Sequence, residues 1–377
     1  MTSVLDDLNI EFSDATTRNW QPGSEAARDI AVLMSGGVDS SVTAMLLRDA
    51  GWNVVGVTLH IPIAGGSGQA SKEAVEVADS LGLAHYYLDV REAFERLVIE
   101  PFRRSYEHGR TPCPCADCNM LFKFGMVWDA IEQHFAVKNL ATGHYARVLR
   151  DGEQTYLVRG DDHSRDQSYF LYGIQKHRLK HLYLPLGDFG KDEVRQLAAK
   201  SGLPVAHRDD SMELCFASGD DYRTALGLPS ETGPILDMDG KVIGKHKGIA
   251  NYTIGQRKGI GIAAARPFHV ISIDPINNTI TVATREQALS STVEAHEINI
   301  LIPDQMSPNS RFFGKIRSQG EPSPCVLTQI GESTMSVRFD QPQFAPTPGQ
   351  RLVLYDSDSR VVAGGVICSG CIKSEDK

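Results

Sequence analysis

The first half of the chain alternates between short, nearly unbroken apolar runs and segments in which apolar residues recur every three or four positions. Ile30 to Met34 is the first run, Val54 to Ile61 the second and Ala84 to Val90 the third; Asn139 to Thr142 enters a fourth that stops at Gly143-His144. Between the runs the spacing predicts helices. One covers Val42 to Ala50 and is closed by Gly51, and one covers Lys72 to Leu81, with Val75, Ala78 and Leu81 on one face. Another covers Cys118 to Phe135, with Leu121, Phe124, Trp128, Ile131 and Phe135 in phase, and a last one, Lys191 to Lys200, is stopped by Gly202 and Pro204. Strands separated by helices imply an α/β fold with a doubly wound parallel sheet, whose ligands bind beyond the carboxyl ends of the strands.

Beyond about residue 220 the helical period fades. Short β-rich runs replace it: Val270 to Ile273, Thr279 to Ala283, Ser336 to Phe339 and Leu352 to Tyr355. Asp239-Gly240, Asn277-Asn278 and Pro348-Gly349 punctuate them as turns. Small β-barrels, with a boundary near residue 290, are the natural reading.

A chain of 377 residues is too long for one compact core, so two or three domains are expected. A hydrophobic content of 41% and a charged content of 23% are ordinary for a soluble globular protein. No stretch approaches the roughly 20 apolar residues that a membrane span needs. The first 28 residues carry Asp6, Asp7, Glu11, Asp14 and Glu25 against Arg18 and Arg28. That acidity argues against a transit peptide, and no apolar secretory core is present. The segment reads as a disordered or loosely docked extension on a cytoplasmic protein. A net charge of −9 argues weakly against nucleic-acid binding, although local basic clusters such as Arg103-Arg104, Arg257-Lys258, Lys315 and Arg317 remain available. Seven cysteines without a secretory signal point to thiol chemistry or metal and away from structural disulfides. Cys368 and Cys371 form a Cys-x-x-Cys near the end of the chain, read as a surface pair in a mobile tail.

Ser35 to Ser41 reads Ser-Gly-Gly-Val-Asp-Ser-Ser and stands between the first apolar run and the first helix. A strand, a glycine-rich turn and a helix start gather backbone N–H groups to hold phosphate. Gly36 and Gly37 allow close approach of an anion. Ser35, Ser40 and Ser41 add hydroxyl donors, and Asp39 stands where a carboxylate can hold a metal bound to the phosphates. No Gly-Lys-Ser/Thr follows, which excludes the Walker pattern. The segment resembles the PP-loop of ATP pyrophosphatases. That resemblance implies that ATP, with Mg2+, is split into AMP and pyrophosphate while a substrate oxygen is adenylated.

Further motifs join the loop: Thr111-Pro112 through Cys118-Asn119, Ala141 to Tyr145, Arg165 to Leu171, Asp210-Ser211 through Cys215-Phe216, and Tyr252 to Gly259. Together, and in this order, they resemble the tRNA-specific 2-thiouridylases over almost the whole chain. The resemblance implies a PP-loop domain over 29–222, a central β-domain over 223–292 and a C-terminal β-barrel over 293–377, after the 1–28 extension. It implies replacement of the C2 oxygen of the wobble uridine in a tRNA anticodon stem-loop by sulfur from a donor such as a cysteine desulfurase relay; a monomer is the default expectation. By resemblance, Cys215 carries a persulfide and Cys118 is its partner. ATP contacts fall on Leu33, Met34, Ser35, Gly36, Gly37, Val38, Asp39 and Ser40, on the backbone of Leu59, and on Gly143. Residues matching tRNA contacts are Cys113, Pro114, Cys115, His144, Arg165, Asp166, Gln167, Arg317, Ser318 and Gln350. For Arg165 and Arg317 the physical case is phosphate neutralisation. For His144 and Gln350 a structural role in a turn is nearly as good a reading. Family members usually carry an aromatic residue where Ser318 stands.

The residues support this chemistry in their own right. A carbonyl oxygen leaves poorly until it is adenylated, and sulfur must then arrive as a nucleophile. One cysteine carries the sulfur, and a second attacks the persulfide or resolves it as a disulfide. Cys118 opens a predicted helix, where the dipole is expected to lower a thiol's pKa.

The first cysteine motif departs from the family's Thr-Pro-Asn-Pro-Asp-x-x-Cys-Asn. Cys113 replaces the asparagine and Cys115 the aspartate. A carboxylate is charged at neutral pH, whereas a thiol of ordinary pKa about 8.5 is mostly neutral. Asp117, two residues on, would face the same side as Cys115 in an extended segment. Three readings stay open: Cys115 as a tolerated small residue, with Asp117 or tRNA phosphate taking over the proton work; a zinc site of Cys113, Cys115, Cys118 and Cys215; or an iron–sulfur cluster on Cys115, Cys118 and Cys215. The persulfide reading is preferred. A PP-loop ligase for a small substrate would share Ser35 to Ser41 but would need neither Cys118 and Cys215 nor the β-domains, and an RNA-binding protein without activity would need neither loop nor cysteines.

Overall fold

The computed structural model describes residues 10–23, 28–62, 72–208, 215–216, 227, 231–262 and 266–368. The chain divides into two compact units, Met1–Val98 with Cys115–Gly219, and Ile99–Pro114 with Asp220–Lys377. Among the described residues no helix is long and apolar enough to cross a membrane.

The first unit contains β1 (Glu11–Asp14), β2 (Asp29–Leu33), β3 (Asn53–His60), β4 (Ala84–Asp89), β5 (Asn139–Ala141), a hairpin of β6 (Ala146–Asp151) and β7 (Gln154–Arg159), and β8 (Leu182–Tyr183). Six of these strands form one sheet in the order β1-β4-β3-β2-β5-β8. All of its pairings are parallel except that of β1 with β4. Ile30, Ala31 and Val32 are each 0% exposed, so both faces of β2 are covered, and the strand reads as an apolar run with no alternation. Helices α1 (Val38–Asp49), α2 (Lys72–Leu81), α3 (Trp128–Phe135) and α4 (Lys191–Lys200) accompany the sheet. Ile30 and Val32 share one core with Val42 and Met45 of α1, Val77 and Ala78 of α2, and Val194 and Ala198 of α4. The apolar face of α2 is Ala74, Val77, Ala78 and Leu81; Val75, expected on it, lies one position out of phase.

From β2 the chain passes through α1 to β3 on one side, while β5 pairs on the other, with Val32 opposite Ala141. The strand order therefore reverses at β2, and the carboxyl ends of β2 and β5 flank the crevice where such sheets bind ligands.

Part of the acidic extension is docked on the sheet. Residues 1–9 lie outside the described residues, but Glu11–Asp14 is an edge strand paired with Tyr86 to Asp89. Phe12 stacks on His134, with ring centroids 4.2 Å apart, and meets Phe135 edge-on at 5.0 Å. The Trp20 backbone N–H donates to the Tyr86 hydroxyl at 2.8 Å, and its ring meets Phe135 edge-on at 6.5 Å. Two aromatic anchors fix a segment whose composition reads as unstructured.

The second unit carries β9 (Gly233–Leu236), β10 (Val242–His246), β11 (His269–Asp274) and β12 (Thr279–Ala283), a four-stranded sheet in the order β10-β9-β12-β11. A closed barrel follows, formed by β13 (Leu289–Ile300), β14 (Arg311–Lys315), β15 (Ser323–Ile330), β16 (Thr334–Phe344), β17 (Arg351–Tyr355) and β18 (Val361–Cys368). The barrel begins at Leu289, four residues ahead of the expected boundary at 293, because β13 is twelve residues long and its first part pairs with the end of β16. Lys315 is only 4% exposed, so it presents no charge to a phosphate. Cys368 is disulfide-bonded at the end of β18; Cys371 lies outside the described residues.

Candidate active site

The phosphate loop is built as its sequence requires. Gly36 takes a left-handed φ of 74°, and α1 starts at Val38 with Gly37 as its cap. The loop is laced by its own serines: the Ser35 N–H donates to Ser40 Oγ at 3.1 Å, and Ser40 and Ser41 hydroxyls donate to the Gly37 carbonyl at 3.2 and 2.8 Å. Arg208 Nη1 donates to the Gly36 carbonyl at 3.1 Å and pairs with Glu73 at 3.1 Å. Gly143, at the end of β5, touches the loop from the opposite side of the crevice. A Cβ there would lie 2.9 Å from both the Asp39 carbonyl carbon and the Ser40 nitrogen.

Asp39 is not a free carboxylate. Its Oδ1 accepts from the Tyr145 hydroxyl at 2.7 Å, and Lys191 Nζ reaches Oδ1 and Oδ2 at 2.8 and 2.9 Å. Lys191 is the first residue of α4, where a positive charge opposes the helix dipole. That misplacement is the sequence signal by which it could have been found. Tyr145 carries no comparable signal. Asp39 still lines the cavity with its side chain 33% exposed, so its remaining lone pairs fit a magnesium ion bound to phosphate.

One cavity of about 750 Å3 joins the expected parts. Leu33, Met34, Ser35, Asp39, Ser40 and Leu59 line it from the loop and β3; Thr142, Gly143, His144 and Gln167 line it beyond β5; and Cys118, Lys123 and Cys215 complete it. Cys118 begins a π-helical stretch, Cys118–Val127, between the short helix Pro114–Asp117 and α3. Cys215 is exposed, but its neighbour Phe216 is buried and meets Phe94 at 5.8 Å between centroids, and Phe94 meets Phe122 of the π stretch at 5.1 Å. This aromatic chain places Cys215 near Cys118. Asp210-Ser211, the start of the Cys215 motif, lies outside the described residues.

The thiols differ from expectation in charge. The helix starts at Pro114, so Cys118 lies a full turn inside it, and at 5% exposure its thiol is pushed up to about 12 by burial. Loss of water outweighs any dipole effect. Burial also raises the Cys115 and Cys215 thiols, and Lys123 opposes the rise in all three. Although Cys115 is exposed as a residue, its sulfur is desolvated enough to be neutral near pH 7. Asp117 does not replace the family aspartate by facing the same way as Cys115. The segment is helical, and residues two apart on a helix point to different sides.

His144 Nδ1 pairs with Thr142 Oγ1 at 2.7 Å, and burial together with Lys123 lowers its pKa to about 3. It is neutral at working pH and is no strong base. The three thiols are within electrostatic reach of one another. Even so, among the described residues no group of three or more His, Cys, Asp or Glu is arranged to hold a metal ion. The Lys123 ammonium among these sulfurs would also repel a second cation. The described residues thus do not fit the zinc or iron–sulfur reading.

The residues matching tRNA contacts separate into two kinds. Arg165 is exposed, Gln167 lines the cavity, Pro114 opens the cysteine helix, Cys113 is buried and Ser318 is half-buried. Asp166, Arg317 and Gln350 are engaged internally. Asp166 has no exposed side-chain surface; it pairs with Arg159 at 3.1 Å and accepts from the Gly160 and Ser168 N–H groups and the Ser168 hydroxyl. Arg317 donates to the Phe344 and Ala345 carbonyls, each at 2.7 Å. Gln350 donates to the Thr111 and Pro112 carbonyls at 3.1 and 3.0 Å. Asp166→Ala breaks a buried ion pair and is expected to cost about 3–5 kcal/mol, read by chemical denaturation; a loss under about 1 kcal/mol would contradict the role.

Residues 28–219 match the family described as tRNA methyl transferase HUP domain, 225–284 the tRNA methyl transferase PRC-barrel domain, and 290–367 the aminomethyltransferase beta-barrel domain. The tRNA-specific 2-thiouridylase MnmA of Clostridioides difficile (strain 630) is 40% identical over 356 residues, covering 90% of this chain and 98% of that one. The protein of the same name from Moorella thermoacetica (strain ATCC 39073 / JCM 9320) is 41% identical over 352 residues, covering 89% and 98%. Among solved structures, the U34-tRNA thiolase NcsA from Methanococcus maripaludis with its [4Fe-4S] cluster is 19% identical with a TM-score of 0.34, covering 51% of this chain and 63% of that one. A likeness at that score carries nothing over to this site.

Proposed function

This chain belongs to the tRNA-specific 2-thiouridylase family, and on that basis we propose how its residues perform the thiolation. The enzyme is a tRNA-uridine 2-sulfurtransferase. ATP binds with its phosphates on the Ser35–Ser41 loop, where the start of α1, the serine hydroxyls, Lys191 and Arg208 supply donors and positive charge. A magnesium ion held partly by Asp39 would neutralise phosphate charge. The C2 oxygen of the wobble uridine attacks the α-phosphorus and pyrophosphate leaves, so that C2 carries a good leaving group. The terminal sulfur of a Cys215 persulfide then attacks C2 and AMP departs. Cys118, as thiolate, attacks the Cys215 sulfur; the thiocarbonyl is released and a Cys118–Cys215 disulfide forms, which an external dithiol reduces. Exposure supports the division of labour, since Cys215 is exposed as a residue, although its sulfur is partly desolvated, and can meet an external sulfur donor while Cys118 is buried. Arg165 and Gln167 are the side chains best placed to meet the anticodon stem-loop.

The observation that carries this reading is that phosphate loop, Cys118 and Cys215 line one cavity. Its test is incubation of the full chain with ATP, a persulfide donor and unmodified tRNA. Wobble 2-thiouridine with equimolar AMP is expected; ADP in place of AMP, or no thiolated uridine, would overturn it. In the same assay Gly143→Ala is expected to lower pyrophosphate release on the order of tenfold to 100-fold, because its Cβ displaces loop backbone. Wild-type rates would show that the loop does not hold the phosphates there.

A further inference from the structure

Lys123 has no part in the family motifs used above, yet it occupies the centre of the sulfur chemistry. On an α-helix, residues five apart are turned by about 140°, and Lys123 would point away from Cys118. The Cys118–Val127 stretch is π-helical instead. Its i→i+5 bonding reduces the angle between residues five apart, a distortion common at functional sites. Cys118, Phe122 and Lys123 accordingly line the same cavity, together with Cys215.

We propose that Lys123 is the positive charge that stabilises the sulfur anions of Cys118 and Cys215 during sulfur transfer. The proposal rests on the persulfide reading and adds a residue to it. Burial works against every thiolate here, and Lys123 is the counterweight that acts on Cys115, Cys118 and Cys215 alike. The groups acting on Lys123 in return are those same three sulfurs, which hold its pKa above the ordinary lysine value despite burial. Asp117 opposes ionisation of Cys115 and Cys118, and Lys123 also depresses His144. Asp39, Lys72, Glu73 and Arg208 are the other charged side chains lining the cavity; Asp39 is paired with Lys191, and Glu73 with Arg208. Two steps need the charge. The persulfide must be an anion to attack C2, and Cys118 must give up its proton before attacking the Cys215 sulfur. A fixed ammonium ion lowers the cost of both, with no electron or proton of its own transferred.

The test reads the thiols without ATP or tRNA. Full-length wild type, Lys123→Met, Lys123→Gln and Lys123→Arg are alkylated with iodoacetamide across pH 6 to 10 (a chosen range of about four units), and Cys118 and Cys215 are followed by peptide mass spectrometry. Loss of the charge should move the Cys215 profile upward by roughly one pH unit and slow its alkylation roughly tenfold at a given pH below the midpoint. Arginine should restore most of the wild-type profile. A wild-type profile in either neutral variant with unchanged circular dichroism, or an arginine profile displaced as far as the neutral ones, would overturn the proposal. The neutral variants should also lose thiolation at least tenfold. Neutral variants shifted relative to wild type, together with a wild type that makes no 2-thiouridine, would keep the Lys123 electrostatics and sink the enzymatic reading instead.

Discussion

Cys215→Ala and Cys118→Ala should each abolish formation of 2-thiouridine, by at least roughly a thousandfold, the scale on which removal of a nucleophile acts. ATP-dependent pyrophosphate release should stay within about twofold of wild type, because on the proposed reading adenylation is carried by the loop and α4. The two variants fail at different steps. Without Cys215 no protein-bound persulfide forms there; without Cys118 the persulfide forms but is not resolved. Mass spectrometry of the protein after treatment with the sulfur donor therefore separates them: an added sulfur on Cys215 is expected in Cys118→Ala. Cys215 is exposed, so its replacement should be nearly neutral for stability, whereas Cys118 is buried and its loss should cost about 1 kcal/mol. Undiminished 2-thiouridine from both variants would remove the cysteines from the mechanism.

Asp39→Ala should stop the earlier step. The carboxylate closes a three-way contact with Tyr145 and Lys191 beside the phosphate loop, and its loss frees Lys191 from its position. A decrease in pyrophosphate release of roughly 10²–10³ is expected, the size of effect seen when one preorganised charge is removed from a reacting centre. Lys191 is 9% exposed at its side chain and would lose this ion pair, so a stability loss of about 2–4 kcal/mol should accompany it. Asp39→Asn keeps the size and much of the hydrogen bonding and should fold more stably while remaining slow. Unchanged pyrophosphate release in either folded variant would mean that the nucleotide sits elsewhere.

The parallel sheet was legible because β2 and β3 are buried over most of their length and read as apolar runs between helical periods. The β4 strand, half-buried at Ala84, Tyr87 and Asp89, is a more mixed run. The loop was legible because its glycines and serines are local requirements of a tight turn. Tyr145, Lys191 and Arg208 were not legible in the same way, since each meets the loop across the fold and sequence spacing says nothing of that contact. Lys123 was hidden for another reason. Reading Cys118 to Phe135 with a 3.6-residue period puts Leu121 and Phe124 in phase but sets Lys123 on a separate face from Cys118; the change to i→i+5 bonding leaves no mark in the apolar pattern. The pKa of Cys118 was misread because a helix start near it was visible, while its burial under tertiary packing was not. Phe12 shows the converse at the N-terminus: composition reports the average of a segment, and one stacked ring decides whether it docks.

The most direct test of the central claim is a single turnover by protein carrying sulfur on Cys215. The full chain is treated with a metal chelator, loaded with persulfide, freed of donor and chelator and mixed with ATP, magnesium and unmodified tRNA. The account predicts one wobble 2-thiouridine for each persulfide consumed, with one AMP, one pyrophosphate and a Cys118–Cys215 disulfide. Thiolation that requires bound iron and acid-labile sulfide, and that leaves the persulfide on Cys215 untouched, would contradict it.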